Sequence, residues 1–513
     1  MSYKKSSKFE AMGKATLVIR ADANAHIGTG HLMRCLALAQ GWKDAGGEVT
    51  FVTACSNDNL LGRLYDEGFT VHKIENPYPH PQDWQTTREI LEEHKDAWLV
   101  IDGYHFDSSY QRLVKESGHP LLAIDDYGHA GHYYADIVLN QNLHAENLTY
   151  SCEPYTKLLL GTKYVLLRRE FLKWRGWKRE IPEVARKVLV TMGGSDPENV
   201  TLKVINAINM VDFGPLEVAV VVGPTNPHYE ALERAARTSR HSIVLMRNVP
   251  DMPELMSWAD IAIAAGGTTC WELAFMGLPF VVIVLAKNQR LVAEALNDVG
   301  CALDLGWHDD LSSLEITEPL VSLLLNQKRR AEMNQRGQQI VDGKGVIRVL
   351  HYMGLKILRL RPACECDCQL LWEWANDTQV RDSAFCSASI PWEEHVKWFN
   401  NKLSDPNCLI YIAEDQKGTP IGQIRFDIDG EQAEVDVSIG KGKRGLGYGA
   451  YLIEQGVREL FQNMVVKAVH AFIKPDNISS IISFEKAGFR HIGTDTIKGH
   501  KAKHYMMVRE NGL

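Results

Sequence analysis

The sequence predicts an α/β protein with two Rossmann-like domains facing each other across a cleft, followed by a smaller α/β domain of different grammar. Three observations predict it. Strand-like and helix-like runs alternate from Thr16 to about Gly345 with short turns between them, the pattern of βαβ units and a parallel sheet. A charged, Trp-containing stretch at 168–186 interrupts the alternation, which then restarts. Near Leu355 the pattern changes again to a strand, Trp-rich helices and a β meander. The expected boundaries are a loose tail over 1–14, a first domain over 15–167, a linker over 168–186, a second domain over 187–350 and a last domain over 355–513.

The first series runs TLVIRAD (16–22), VTFVTA (49–54), WLVIDGY (98–104), LLAIDDYG (121–128) and ADIVLNQN (135–142). Between the first two lies HLMRCLALAQGWKDAG, whose Leu32, Leu36 and Ala39 follow a helical period. Several strands end on polar residues, Asp102, Asp125 and Asn140, and ligands in open α/β sheets sit beyond the carboxyl ends of strands. The second series runs KVLVTMGG (187–194), LEVAVVVG (216–223), SIVLM (242–246), ADIAIAAGG (259–267) and PFVVIVLA (279–286).

Composition bounds the partners. The 513 residues are 45% hydrophobic and 23% charged, which is globular, and the net charge of −8 gives no reason to expect nucleic acid or an anionic membrane. No apolar run approaches the roughly 20 residues of a membrane span. Met1–Lys14 is polar and Lys-rich, unlike a secretory signal, so a cytoplasmic protein is expected. Ten cysteines are too few for a disulfide framework, and the alternating Cys364, Cys366 and Cys368 fit no usual zinc spacing. No metal is expected.

The first candidate site is Gly28-Thr29-Gly30-His31, between a strand and a helix. Free N–H groups and the positive end of the dipole suit a phosphate there. Met33 stands where a dinucleotide fingerprint needs its third Gly, which disfavours NAD. On spacing alone His31 is either a cap of the turn or a general base. Gly193-Gly194-Ser195 suits diphosphate oxygens, and Gly266-Gly267-Thr268-Thr269 repeats the arrangement. Glu272, one turn into the next helix, is either a ligand for ribose hydroxyls or a solvated first-turn carboxylate. Asp125-Asp126 reads as a strand-end pair lining the cleft and not as a metal clamp.

RADANAHIGTGHLMRCLALA resembles the opening of the nucleotide-sugar hydrolases of pseudaminic acid biosynthesis, which cleave UDP-2,4-diacetamido-2,4,6-trideoxy-β-L-altropyranose. The likeness continues through IDGYHFD, LLAIDDYGH, DIVLNQN, GTKYVLLRREF, VTMGGSDPEN, AAGGTTCWELAFMGLP and LAKNQ, over about residues 15–345. It implies a GT-B fold, His31 as the proton acceptor for water, Tyr104 and Asn288 in the sugar pocket, Asp22 as an orienting group and Gln289 beside UDP. It places Met246–Val249 beside the uracil. A diphosphate is a good leaving group, so one base and an anion cradle suffice.

The last domain carries a strand followed by Arg444-Gly445-Leu446-Gly447-Tyr448-Gly449 and an amphipathic helix. This resembles the Q/R-x-x-G-x-G/A signature of GNAT acetyltransferases, and VHAFIKPDNISSIISFEKAGF resembles the downstream part of that fold. The likeness implies acetyl-CoA as acetyl donor, a strand over 435–439 that splays from its neighbour, contacts from Val437, Ile439, Arg444, Gly445, Gly447 and Gly449, and Asn477 near the cofactor. Phe484 stands where the usual thiolate-protonating Tyr falls, leaving Tyr451 and Tyr505 as other candidates, with Glu434 or Asp436 as base for the amine. LLWEWANDTQVRD and IPWEEHVKWF resemble the acceptor side of GNAT enzymes acting on nucleotide-linked amino sugars, although Trp372, Trp374, His395 and Trp398 also read as core.

The two resemblances together imply a bifunctional enzyme. It would acetylate the 4-amino group of a UDP-amino-dideoxy sugar, then hydrolyse the product to UDP and free sugar. An oligomer through the GNAT-like domain is compatible with this. The alternatives are a GT-B glycosyltransferase with a regulatory or degenerate GNAT domain, and the same two reactions on a legionaminic-type sugar.

Overall fold

The computed structural model describes residues 15–24, 27–355, 358–415, 418–444 and 448–509. The expected tail over 1–14 lies outside them, as do Gly445 and Gly447. The chain forms two compact units, Met1–Met353 and Gly354–Leu513.

The first unit holds two parallel sheets. The strands of the first are β1 (Thr16–Ala21), β2 (Glu48–Thr53), β3 (Thr70–Lys73), β4 (Trp98–Asp102), β5 (Leu121–Ile124), β6 (Ile137–Asn140) and β7 (Lys157–Leu160), in the order β3-β2-β1-β4-β5-β6-β7. The second sheet has β8 (Lys187–Thr191), β9 (Glu217–Val221), β10 (Ser242–Met246), β11 (Ile261–Ala265), β12 (Phe280–Val284) and β13 (Ala302–Trp307), in the order β10-β9-β8-β11-β12-β13. Strand order reverses between β1 and β4 and between β8 and β11, so each sheet opens a crevice at the carboxyl ends of those strands. All six residues of β1 are buried, as are all five of β11 and β12. Helices cover both faces of such strands, which is why β11 and β12 run apolar without alternation, while the buried Arg20 of β1 is paired with Asp22 and Asp83. This is the expected GT-B-like pair.

Two boundaries differ from the expectation. Residues 168–186 are docked on the second lobe: Phe171 is buried in its core with Trp174 and Trp177 packed beside it, and Arg179 Nη2 donates to Met256 O at 2.7 Å. The helix Gly345–Tyr352, expected in the second lobe, lies on the first. A Cβ on Gly41 would fall 2.3 Å from Val346 Cγ1, and one on Gly345 would fall 2.1 Å from Val165 O. Two glycines therefore admit a backbone approach that any side chain would block.

The second unit is one mixed sheet of β14 (Arg359–Pro362), β15 (Cys408–Glu414), β16 (Pro420–Asp429), β17 (Gln432–Ile439), β18 (Ala468–Ile473), β19 (Arg490–Ile497) and β20 (His500–Val508), ordered β14-β15-β16-β17-β18-β20-β19. Its neighbours are antiparallel except β17 and β18, which pair in parallel only at Gln432↔Ala468, Ala433↔Val469 and Glu434↔His470. Beyond Glu434 the two strands part, as the GNAT likeness implies.

Candidate functional site

The first unit's cavity, about 360 Å³, lies where the two crevices face each other. On one wall the chain leaves β1 and turns at Gly28, whose φ of +73° favours glycine, into the helix Gly30–Asp44. His31 sits in its first turn. Its Nδ1 lies 2.6 Å from Oδ1 of Asp102, the last residue of β4, which is level with Ala21 on the neighbouring strand. Arg34, one turn further along, donates from Nε to Asp102 Oδ2 at 2.6 Å and from Nη2 to Asp102 Oδ1 at 2.7 Å. It also donates to both oxygens of Asp126, at 2.8 and 3.0 Å. Asp126 further accepts from Tyr104 OH at 2.7 Å and Asn142 Nδ2 at 2.8 Å.

Burial opposes a charge on Asp102, but Arg34 and His31 outweigh it and hold the carboxyl down at about 2. Burial likewise opposes the charge on Asp126, and Arg34 reverses it, keeping that group well below the carboxylate range. Burial and the Asp126 charge push the Tyr104 phenol well above its ordinary range, so it stays a hydroxyl donor. Both hydrogens of Arg34 Nη2 go to carboxylates, so the nearby His31 Nδ1 is the ring's N–H and donates to Asp102. Nε2 is then the free lone pair.

The opposite wall comes from the second lobe. Gly193 (φ +84°), Gly194 and Ser195 follow β8, Gly267, Thr268 and Thr269 follow β11, and Asn288 and Gln289 follow β12. The lobes approach closely here: a Cβ on Gly194 would lie 2.9 Å from Thr29 Cγ2, and one on Gly30 would lie 3.4 Å from Thr268 Oγ1. Asn288 Nδ2 crosses the cleft and donates to Tyr104 OH at 2.8 Å. Gln289 Oε1 accepts from Leu285 N and shapes its own loop.

Twelve of the expected residues of this site thus share one cavity, and two do not. The Asp22 carboxylate is engaged by Arg20 and Ala54 N, with His105 Nε2 at 3.5 Å, and ties β1 to the end of β2 off the cavity wall. Glu272 is also off the wall, and Arg168 donates to its Oε1 through Nε at 3.1 Å and Nη2 at 2.8 Å. Met246–Val249 does not line the cavity. Of the aspartate pair only Asp126 reaches it; Asp125 accepts from His129, Tyr133, Tyr150 and Gly128 N beneath. Sequence reasoning missed Arg34 and gave Asp102 only a place on the rim. The three-residue spacing of His31 and Arg34, which puts them on one helix face, was the available signal.

The second unit has a cavity of about 730 Å³ where β17 and β18 part. Val437, Ser438 and Asn477 line it, and Asn477 Oδ1 caps the helix Ile478–Lys486 by accepting from Ser480 N at 3.2 Å. Ile439 and Arg444 do not. The Arg444 side chain donates to Asp377 (2.6 Å), Gln379 (2.7 Å) and the Ile439 carbonyl (2.9 Å). Gly449 lies in the helix Tyr448–Asn463, where a Cβ would come within 3.0 Å of Ser483 Oγ, so its smallness serves helix packing.

Phe484 lines the cavity and is almost fully buried. Tyr505 donates to Glu485 Oε1 at 2.8 Å away from the cavity, its phenol pushed up to about 12 by burial and that carboxylate. Tyr451 packs against the core. Glu434 and Asp436 both face the cavity, and burial with the nearby Asp427 and Asp436 charges raises the Glu434 carboxyl. Of the aromatics, Trp374 is core. His395 and Trp398 line the cavity, with the Arg425 guanidinium 5.2 Å from the Trp398 ring centre. Cys364 and Cys366 are joined as a disulfide.

Comparison with known proteins agrees with this division. Residues 188–345 match the glycosyltransferase family 28 C-terminal domain, and residues 358–490 match the acetyltransferase (GNAT) domain. The chain is 25% identical over 503 residues to the uncharacterized protein MJ1062 of Methanocaldococcus jannaschii, covering 92% of this chain and 96% of that protein. It is 27% identical to the spore coat polysaccharide biosynthesis protein SpsG of Bacillus subtilis, over 64% of this chain and 95% of SpsG. It is 26% identical to the UDP-2,4-diacetamido-2,4,6-trideoxy-β-L-altropyranose hydrolase of Campylobacter jejuni, over 55% of this chain and 97% of that enzyme. The N-terminal part of the chain is therefore homologous to proteins named as that hydrolase, and its C-terminal part is a GNAT acetyltransferase domain.

Proposed function

We propose that the chain is a bifunctional nucleotide-sugar enzyme of pseudaminic acid biosynthesis. Its C-terminal unit transfers acetyl from acetyl-CoA to the 4-amino group of a UDP-amino-dideoxy sugar. Its N-terminal unit hydrolyses the resulting UDP-2,4-diacetamido-2,4,6-trideoxy-β-L-altropyranose. The observation that carries the hydrolase reading is the His31 ring, pinned through Nδ1 by Asp102 on a cavity wall that faces two glycine loops.

In hydrolysis, His31 Nε2 takes a proton from water as the water oxygen bonds to the anomeric carbon. The bond from that carbon to the UDP oxygen breaks, and UDP leaves with the electron pair. Asp102 stabilises the imidazolium. Gly193, Gly194, Ser195, Gly267, Thr268 and Thr269 supply donors to the diphosphate, with Gly28, Gly30 and Gln289 beside them. Tyr104 and Asn288, joined across the cleft, border the sugar.

In acetylation, the open edge of β17 beyond Glu434 fits the pantetheine arm of acetyl-CoA, with Val437 and Asn477 beside it. Glu434 takes the proton of the acceptor amine. Phe484 has no proton to give, so the departing thiolate takes its proton from solvent or another group.

Incubating the purified chain with acetyl-CoA and the UDP-4-amino sugar tests both halves. Free CoA, UDP and diacetamido sugar are the expected products. Acetylated sugar still bearing UDP removes the hydrolase half, and absence of CoA release removes the acetyltransferase half. The match of residues 188–345 to a glycosyltransferase domain favours a second reading, transfer to an acceptor. UDP release that depends on an added sugar acceptor would establish it instead. A panel of UDP-amino sugars, legionaminic-type ones included, fixes the stereochemistry.

A further inference from the structure

We propose that Arg34 is a positioning residue for hydrolysis: it offsets one of the two carboxylates beside His31, so that the pocket holds counter-charge for a single imidazolium formed during turnover. This rests on the reading of His31 as the base. Arg34 is buried, and its guanidinium bonds both oxygens of Asp102 and both oxygens of Asp126, at 2.6–3.0 Å. Its Nη2 lies 3.2 Å from His31 Nδ1.

Charge bookkeeping gives the consequence. Asp102 and Asp126 contribute two negative charges and Arg34 one positive, so these three groups carry −1, which an imidazolium formed at His31 brings to 0. Without Arg34 the imidazole would face −2 in a buried site. That charge favours the protonated ring, which has no lone pair to offer. The other groups around His31 do not replace this cation. From its own helix comes the Cys35 thiol, 3.6 Å from Asp102 Oδ2, and from the loop after β4 comes the Tyr104 ring, edge-on with centres 4.8 Å apart. Across the cleft, Asp196 lines the cavity, but its carboxylate is held by Val200 N, Thr201 N and Thr201 Oγ1. Asp125 and His129 bond each other beneath Tyr104.

The test is the pH profile of kcat/KM for UDP release. Arg34→Gln is expected to move the acid limb upward by about 1 pH unit or more, with activity recovering at alkaline pH. Arg34→Lys keeps the charge and leaves the limb in place. Asp126→Asn keeps Arg34 on Asp102 and removes one negative charge, moving the limb down. The double variant Asp126→Asn/Arg34→Gln restores the balance and returns the limb toward wild type. CoA release by the same chain checks the other unit, and circular dichroism checks the fold.

A uniform loss at every pH with an unmoved limb in Arg34→Gln overturns the proposal. Should that variant not fold, an unmoved limb in Asp126→Asn overturns it. Failure of the underlying reading looks different: hydrolysis retained by His31→Ala removes the base itself, whatever Arg34 does.

Discussion

The two cavities are built by opposite means. In the first unit, parallel strands end together at a reversal of strand order, and an interlocked set of buried and half-buried side chains fixes the reactive group: His31 on Asp102, Asp102 on Arg34, Arg34 on Asp126 and Asp126 on Tyr104. In the second, the opening is a property of the backbone. β17 and β18 stop pairing after Glu434, and the acidic groups Glu434 and Asp436 sit on the sheet face at its rim. A site assembled from interlocked ionic side chains concentrates its function in a few atoms. A site made by strand separation spreads recognition over main chain and helix cap. The first should therefore fail sharply on single substitutions and the second gradually.

The largest expected effect tests the sharp side. His31→Ala should lower UDP release by about 10²–10⁴-fold while CoA release is unchanged. Equal loss of both activities would mean that the two sites are not separable in this way. Next comes Glu434, the one side chain in the second cavity with a comparable burden. Burial, Asp427 and Asp436 raise its carboxyl, with Arg425 and His504 opposing. A base must be deprotonated, so acetyl transfer should fall on the acid side of a limb lying above the ordinary Glu value of about 4.3. Glu434→Gln should flatten that limb and lower the rate by about 10²-fold. A normal profile in Glu434→Gln would pass the role to Asp436.

The same contrast explains what was legible in the sequence. Interior strands such as β11 and β12 show as unbroken apolar runs because both faces are covered. The edge strands β3, β7 and β13 escaped notice because they are short or only half-buried and carry no such run. Local turn chemistry marked the glycine loops and His31, since a strand, a glycine turn and a helix follow one another directly. Long-range ion pairing left no such mark. Asp102 lies 68 residues from Arg34, and Asp126 lies 92. Pairing is equally invisible at Asp22 and Glu272, which look free in sequence but are engaged by Arg20 and, 104 residues away, Arg168.

The smallest effect probes the gradual side. Asn477 holds the first turn of the helix Ile478–Lys486 through Ser480 N, and both residues border the cavity. Asn477→Ala removes a cap worth about 1 kcal/mol. If the cap orders amides that meet acetyl-CoA, the loss should appear as a rise of about fivefold in KM for acetyl-CoA, with kcat and UDP release unchanged. Asn477→Asp retains a capping oxygen and should restore the wild-type KM. A lower melting temperature with unchanged KM in Asn477→Ala would make Asn477 a stabilising cap alone. Recognition in the second cavity would then rest on the open edge of β17, where no single side chain carries it.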